Sequence, residues 1–296
     1  MPCNDSGKVL ADRINDRQEQ VLNQHPHAWD QINNFYGWIR DYLADLSASP
    51  EGELTHAINF GYWPPGTKNL YDAQIAFFDL IVSMLEPLHA GDHGVEIGCG
   101  IGGYSVRLLQ QHPVKLTCYD LLEEHLSLTR DYAAINKVDE RLHTIQGNSM
   151  DMSHFDNNVL DFVFCIESSF HYDEKQKFFN EVCRVMKPGA TFVYADISCE
   201  DVSKIAFKSG NHFSSRAELD NYITSAGMSI IEHRDIGPQV YEPLQQYTEY
   251  FNDELLHATA DSGKAKVGRY WDLVNSNYTK LYRRGLMGYQ IYKLKS

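Results

Sequence analysis

The stretch GVEIGCGIGGYS, residues 94–105, constrains this chain more than any other. A short apolar run ends in four close glycines, Gly98, Gly100, Gly102 and Gly103, and a helix-compatible segment follows. A strand that breaks on glycines and opens a helix brings backbone N–H groups close to a ligand. The spacing Gly98-x-Gly100-x-x-Gly103 fits a dinucleotide loop, with a pyrophosphate on the helix N-terminus. The spacing Glu96-x-Gly98-x-Gly100-x-Gly102 also fits a loop that holds a sulfonium-bearing nucleoside.

Two acids bear on that choice. Glu96 sits at the strand end, where a carboxylate opposes a pyrophosphate but can order the loop and face a ligand's ammonium. Asp120 ends the next apolar run, KLTCYD, where an acid accepts ribose hydroxyls, which both ligand types carry. Asp120 therefore supports a nucleoside without choosing between them, and Leu121 follows it at the same edge.

The chain has 296 residues, 43% hydrophobic and 22% charged, enough apolar material for one large domain or a domain with an appendage. Its net charge of −14 argues against nucleic acid and against anionic membrane surfaces, both of which select basic footprints. The polar start, MPCNDSGKVLADRINDRQEQ, lacks the apolar core of a signal peptide, and no run approaches a membrane span. Six cysteines without a C-x-x-C pair fit a reduced, cytoplasmic setting. The 13 histidines lack helical ligand spacing, so no metal is expected. Oligomeric state is open, with a homodimer among the options.

The pattern predicts helices within 7–46, an aromatic loop at 55–69 and a long amphipathic helix ending near Pro87. Strand and helix then alternate, with strands at HGVEIGC, VKLTCYD, LHTIQGN, LDFVFCIES and ATFVYADI, and a helix at KQKFFNEVCRVMK stopped by Pro188-Gly189. Alternation of this kind implies a parallel sheet with helices on both faces. A capped helix at SSRAELDNYITSAG, a strand at MSIIEHRDI and a long aromatic helical stretch at 240–284 follow. The last strand, MGYQIYKLK, arrives late, which suits a seventh strand tucked back into the sheet and not a plain doubly wound dehydrogenase.

QGNSMDM at 146–152, CIESSFHY at 165–172 and EVCRVMKPGATFVY complete an ordered set of blocks. With the glycine loop they resemble the class I S-adenosylmethionine-dependent methyltransferases from about residue 90 to 296. INFGYW at 58–63, YDAQ at 71–74, IESSFH and RGLMGYQIYKLK resemble more narrowly the small-molecule tocopherol, sterol and macrolide-sugar group. One departure is MSHF, where that group has LPF after the third strand.

The resemblance implies an α/β, Rossmann-like seven-stranded sheet with its last strand antiparallel. It implies an N-terminal helical and aromatic lid at 1–70 and a core at 71–296, with acceptor-cap elements near 200–215 and 240–284. It implies S-adenosylmethionine as methyl donor, S-adenosylhomocysteine as product and a small-molecule acceptor. Expected cofactor residues are Tyr36, Tyr62, Gln74, Glu96, Gly98, Gly100, Gly102, Asp120, Leu121, Asn148, Ser149, Met150 and Cys165, with Trp63 a further lid aromatic and Gly103 a packing residue.

Methyl transfer asks the protein to position the acceptor and exclude water. A hydroxyl acceptor must also lose its proton, and a histidine suits that task. His171, just past the fourth strand, is the candidate base; Glu167 shares its face if 167–172 forms a helical turn, and then orients it or meets an acceptor cation. O-methylation of a natural-product-like metabolite is the leading expectation. C-methylation of a prenyl or sterol-like alkene and N-methylation of a small amine stay open.

Overall fold

The computed structural model describes residues 53–205, 211–258 and 275–296, with the backbone alone at 250–258. The helices expected within 7–46, together with Tyr36, lie outside the described residues. So do parts of both expected cap stretches, 206–210 and 259–274.

The described chain opens with the aromatic loop and enters helix α1, Leu70–Leu85. Asn69 caps it by accepting the Asp72 amide, and Leu70, Ala73, Phe77, Phe78 and Ile81 bury one stripe. Strand β1, His93–Ile97, leads into α2, Gly103–Gln111; β2, Lys115–Asp120, leads into α3, Glu123–Ile135. Then come β3, Leu142–Gln146, and β4, Leu160–Ile166, followed by a short 3-10 turn, Ser169–His171. Helix α4, Lys175–Val185, runs into β5, Met186–Cys199. Pro188-Gly189 therefore does not stop a helix: it lies inside the strand, where the pairing with β4 shifts register between Leu160 and Phe162.

Helix α5, Arg216–Ser225, opens on a capping box of Ser215 and Glu218. Strand β6, Ser229–Asp235, α6, Tyr241–Ala258, a helical segment at 275–283 and β7, Met287–Lys295, complete the described elements. The seven strands form one sheet in the order β3-β2-β1-β4-β5-β7-β6, with β7 antiparallel to β5 and β6 and the other pairs parallel. The last strand sits where the sequence expected it, tucked inside the sheet and reversed.

Strand alternation sends side chains to two cores. Phe162, Phe164, Val193, Ala195 and Tyr289 pack with α1, α2 and α3. Val95, Ile97, Val163, Cys165, Phe192 and Tyr194 pack with α4 and α5 on the other face. This alternation matters for chemistry. With Val95 and Ile97 committed to one face, Glu96 faces the other, toward α2, where Ser105 meets its carboxylate.

Candidate active site

Ligands in open α/β sheets bind beyond the carboxyl ends of the strands. There the structure holds a cavity of about 330 Å³, lined from β1, β2, the loop after β3, the turn after β4 and the aromatic loop.

The glycine cradle is sterically obligatory. Gly98 has φ +69, and a Cβ there would strike the Ser168 side chain. Gly100 and Gly102 also have positive φ, and a Cβ on Gly103 would meet the carbonyls of Thr55 and His56. Gly103 thus packs against the aromatic loop as well as opening α2. Gly98 and Gly100 line the cavity, whereas Gly102, the N-cap of α2, lies against Thr129 behind it.

Asp120 locks this loop from β2. One carboxylate oxygen accepts the Gly100 amide at 2.9 Å and the other accepts the Leu122 amide at 2.9 Å, with His125 Nδ1 3.3 Å away. Asp120 and the exposed Leu121 both line the cavity. Glu96 is buried at its floor, with Ser105 donating to it, and burial pushes its carboxyl up to about 8.

Past β3, Asn148 forms a local turn by accepting the Met150 amide at 2.9 Å, and Asn148, Ser149 and Met150 line the cavity. Tyr119 supports this turn from below, donating to Asp151 O at 3.1 Å.

Past β4, Glu167 and His171 line the same cavity. The expectation that they share a helical face fails. Glu167 adopts φ +45, the 3-10 turn begins only at Ser169, and Glu167 Oε1 accepts the Phe60 amide at 2.8 Å and the Tyr289 hydroxyl at 2.6 Å. Its carboxylate is therefore turned to the aromatic loop and β7, while burial pushes its carboxyl up to about 8. The His171 turn is anchored from β5 instead. Asp196, fully buried, accepts the Ser169 hydroxyl at 2.6 Å and the Phe170 amide at 3.0 Å.

Three other expected cofactor residues stand back from the cavity. Gln74 is fully buried on α1, and its amide is consumed by the aromatic loop: Thr55 donates to it, and it donates to Ala57 O at 3.2 Å and Asn59 O at 3.0 Å. Tyr62 packs on the core beside α1, its amide donating to Ala73 O at 2.9 Å. Cys165 is buried on the α4 face, 3.3 Å from the Ser168 hydroxyl. Sequence reasoning passed over His56, Asn59, Tyr104, Ser168 and Tyr172, all of which line the cavity. Asn59, Ser168 and Tyr172 lay inside blocks already singled out, where the aromatics and the histidine drew the attention.

The lining has a clear electrostatic character. It carries Glu96, Asp120, Glu167 and Asp173 but no lysine or arginine among the described residues. A pyrophosphate finds no countercharge here, whereas a nucleoside bearing a sulfonium and an ammonium does. The positive-φ glycines, the acid at the end of β2 and the buried Glu96 therefore fit S-adenosylmethionine and not a dinucleotide. A second cavity, also about 330 Å³, shares Tyr172, Asp173 and His212 with the first. Among the described residues no cluster of His, Cys, Asp and Glu is arranged to hold a metal ion, and no helix is long and apolar enough to cross a membrane.

Comparison with known proteins agrees with this chemistry. A family model described as a methyltransferase domain matches residues 95–194. Erythromycin 3''-O-methyltransferase of Saccharopolyspora erythraea is 25% identical over 224 residues, 70% of this chain and 72% of that protein. The 27-O-demethylrifamycin SV methyltransferase of Amycolatopsis mediterranei is 30% identical over 156 residues, 53% of this chain and 56% of its own length. Sterol 24-C-methyltransferases and norajmaline N-methyltransferase also match. The solved mycolic acid cyclopropane synthase CmaA1, complexed with S-adenosylhomocysteine, shares the fold with a TM-score of 0.76 at 15% identity, covering 93% of this chain and 100% of that one. The chain belongs to the class I S-adenosylmethionine-dependent methyltransferases that act on small molecules.

Proposed function

We propose that this enzyme methylates a hydroxyl of a natural-product-like metabolite, with His171 as the general base. The observation that carries this reading is the position of His171, on the turn after β4, lining the cavity that the glycine cradle opens. S-adenosylmethionine supplies a methyl already activated by its sulfonium. Glu96, Gly98, Gly100, Asp120, Leu121, Asn148, Ser149 and Met150 hold it, Asp120 through the ribose hydroxyls and Asn148 at the adenine edge. The aromatic loop, tied to Glu167 and to α1, closes over the site as a lid and excludes water. The acceptor lies on the His171 and His212 side, and His171 takes its hydroxyl proton as the oxygen attacks. Relatives whose names specify O-methylation, the erythromycin and rifamycin enzymes, support the choice of oxygen.

His171→Ala tests it. Turnover with a hydroxyl acceptor falls by about 100-fold or more, the usual worth of a general base, while S-adenosylhomocysteine affinity stays within about twofold. Unchanged turnover removes the base assignment.

One observation favours a second reading. Glu167 lines the cavity with a carboxyl that burial pushes up to about 8 and that a cation beside it would ionise. A carboxylate so placed stabilises positive charge developing on an acceptor, as C-methylation of an alkene requires. Glu167→Gln separates the two: it spares O-methylation and abolishes C-methylation.

A further inference from the structure

Asn59 has a side-chain donor with no hydrogen-bond partner among the described residues. It sits in the aromatic loop, only 6% exposed, and lines the cavity. Its Oδ1 accepts the Gly61 amide at 3.0 Å. It also lies 3.3 Å from the Tyr104 hydroxyl, which sits 2.7 Å from Gln74 O and donates there. A backbone N–H can only donate, so the Gly61 contact settles which end of the Asn59 amide is oxygen. The Nδ2 end then has no hydrogen-bond partner among the described residues and opens on the cavity. Nδ2 is not sealed from solvent, so a ligand in the cavity can accept from it.

The surrounding structure holds this amide rigidly. Gln74, fully buried on α1, binds the carbonyls of Ala57 and Asn59 and receives the Thr55 hydroxyl, which staples residues 55–59 of the loop in place. Tyr104, in the first turn of α2, braces Asn59 from the other side. The nearby acids, Glu96 and Glu167, become pure acceptors once ionised, as a ligand ammonium favours, and the complementary group Asn59 adds is a donor.

We propose that Asn59 Nδ2 donates to the α-carboxylate of the cofactor's amino-acid end, with Glu96 facing its α-ammonium. Asn59 and Glu96 then recognise the zwitterion jointly, one from the lid loop and one from β1. Gln74 acts on the cofactor through Asn59. The inference rests on the cofactor alone and is independent of His171 and of the acceptor.

The test is calorimetric binding of S-adenosylhomocysteine and of its decarboxylated analogue to the wild type and to Asn59→Asp. The aspartate keeps an oxygen for the Gly61 amide and replaces the donor with a like charge. The wild type is expected to prefer the intact compound by about tenfold or more, and Asn59→Asp to bring that preference within about twofold while binding the decarboxylated compound as the wild type does. Equal weakening of both compounds, or an intact preference, overturns the proposal. Wild-type protein labelled with nitrogen-15 gives a second measurement that needs no variant. The Asn59 side-chain amide signal should move with S-adenosylhomocysteine and stay with the decarboxylated compound; equal movement, or none, overturns it. Absence of any S-adenosylhomocysteine binding by the wild type is a different result, and it contradicts the cofactor.

Discussion

The Glu167 carboxylate accepts the Phe60 amide at 2.8 Å, and this bond ties the aromatic loop to the carboxyl end of β4 across 107 residues of sequence. The same oxygen accepts the Tyr289 hydroxyl at 2.6 Å, so one side chain joins the loop, β4 and β7. Glutamine preserves the accepting oxygen and alanine does not. Glu167→Ala should lower unfolding free energy by about 1–3 kcal/mol, the cost of leaving a buried donor unpaired, and Glu167→Gln should cost less than about 1 kcal/mol. Urea denaturation compares them, and equal losses would contradict the tie.

Stability of the unliganded enzyme should fall as pH rises from about 6.5 to about 8. Burial raises Glu96 and Glu167 from near 4.5 to about 8, so across this window the folded state holds protons that the unfolded state has released. His56 acts oppositely at lower pH. Burial lowers it to about 4, so its contribution is complete above its unfolded value of 6.5 and is lost as pH falls below that. The slope between 6.5 and 8 is on the order of 1 kcal/mol per pH unit. Chemical denaturation at several pH values measures it, and stability that rises across the window contradicts the burial of these carboxyls.

Cofactor binding should release protons at pH 7. The α-ammonium of the ligand, placed against Glu96, favours its charged form and so draws its carboxyl down from about 8. Titration with S-adenosylhomocysteine in buffers of different ionisation enthalpy should give release approaching one proton, which Glu96→Gln removes. Proton uptake would mean that Glu96 does not face the ammonium.

Asp120→Asn should weaken S-adenosylhomocysteine about 10- to 100-fold. Both Asp120 oxygens already accept loop amides, from Gly100 and Leu122, and the asparagine turns one acceptor into a donor. The loss combines a loosened glycine loop with a weakened ribose contact. Affinity within twofold of wild type would place the ribose elsewhere.

Asp196→Asn separates positioning from binding. Asp196 carries the His171 turn through Ser169 and Phe170 and is fully buried, and it does not line the cavity. Turnover should fall by about tenfold, the worth of one hydrogen bond to a charged group, with S-adenosylhomocysteine affinity unchanged. A matched loss of affinity would make the role structural.

Much of the fold was legible because strand and helix leave different apolar periods. MGYQIYKLK matches β7 at both ends, and the Ser215 capping signal gave the start of α5. Pro188-Gly189 misled because the same residues that end helices also mark irregular strand pairing, and only the β4 register distinguishes the two. At the site, the glycines and Asp120 could be read because backbone conformation and local spacing demand them. Glu167 and Gln74 could not. Their partners, Phe60, Tyr289, Ala57 and Asn59, come from distant or looped chain, and a buried polar side chain looks the same in sequence whether it serves a ligand or a backbone. Residue type likewise could not announce the left-handed Glu167, since tertiary contacts hold that conformation.

The most direct measurement follows the transferred carbon itself. The enzyme is supplied with methyl-carbon-13 S-adenosylmethionine and a panel of hydroxylated, amine and isoprenoid acceptors, and the product is examined by NMR. The account predicts a labelled methyl bonded to oxygen in the wild-type product, and its loss with His171→Ala. A labelled methyl bonded to carbon or nitrogen, formed undiminished by His171→Ala, would contradict it.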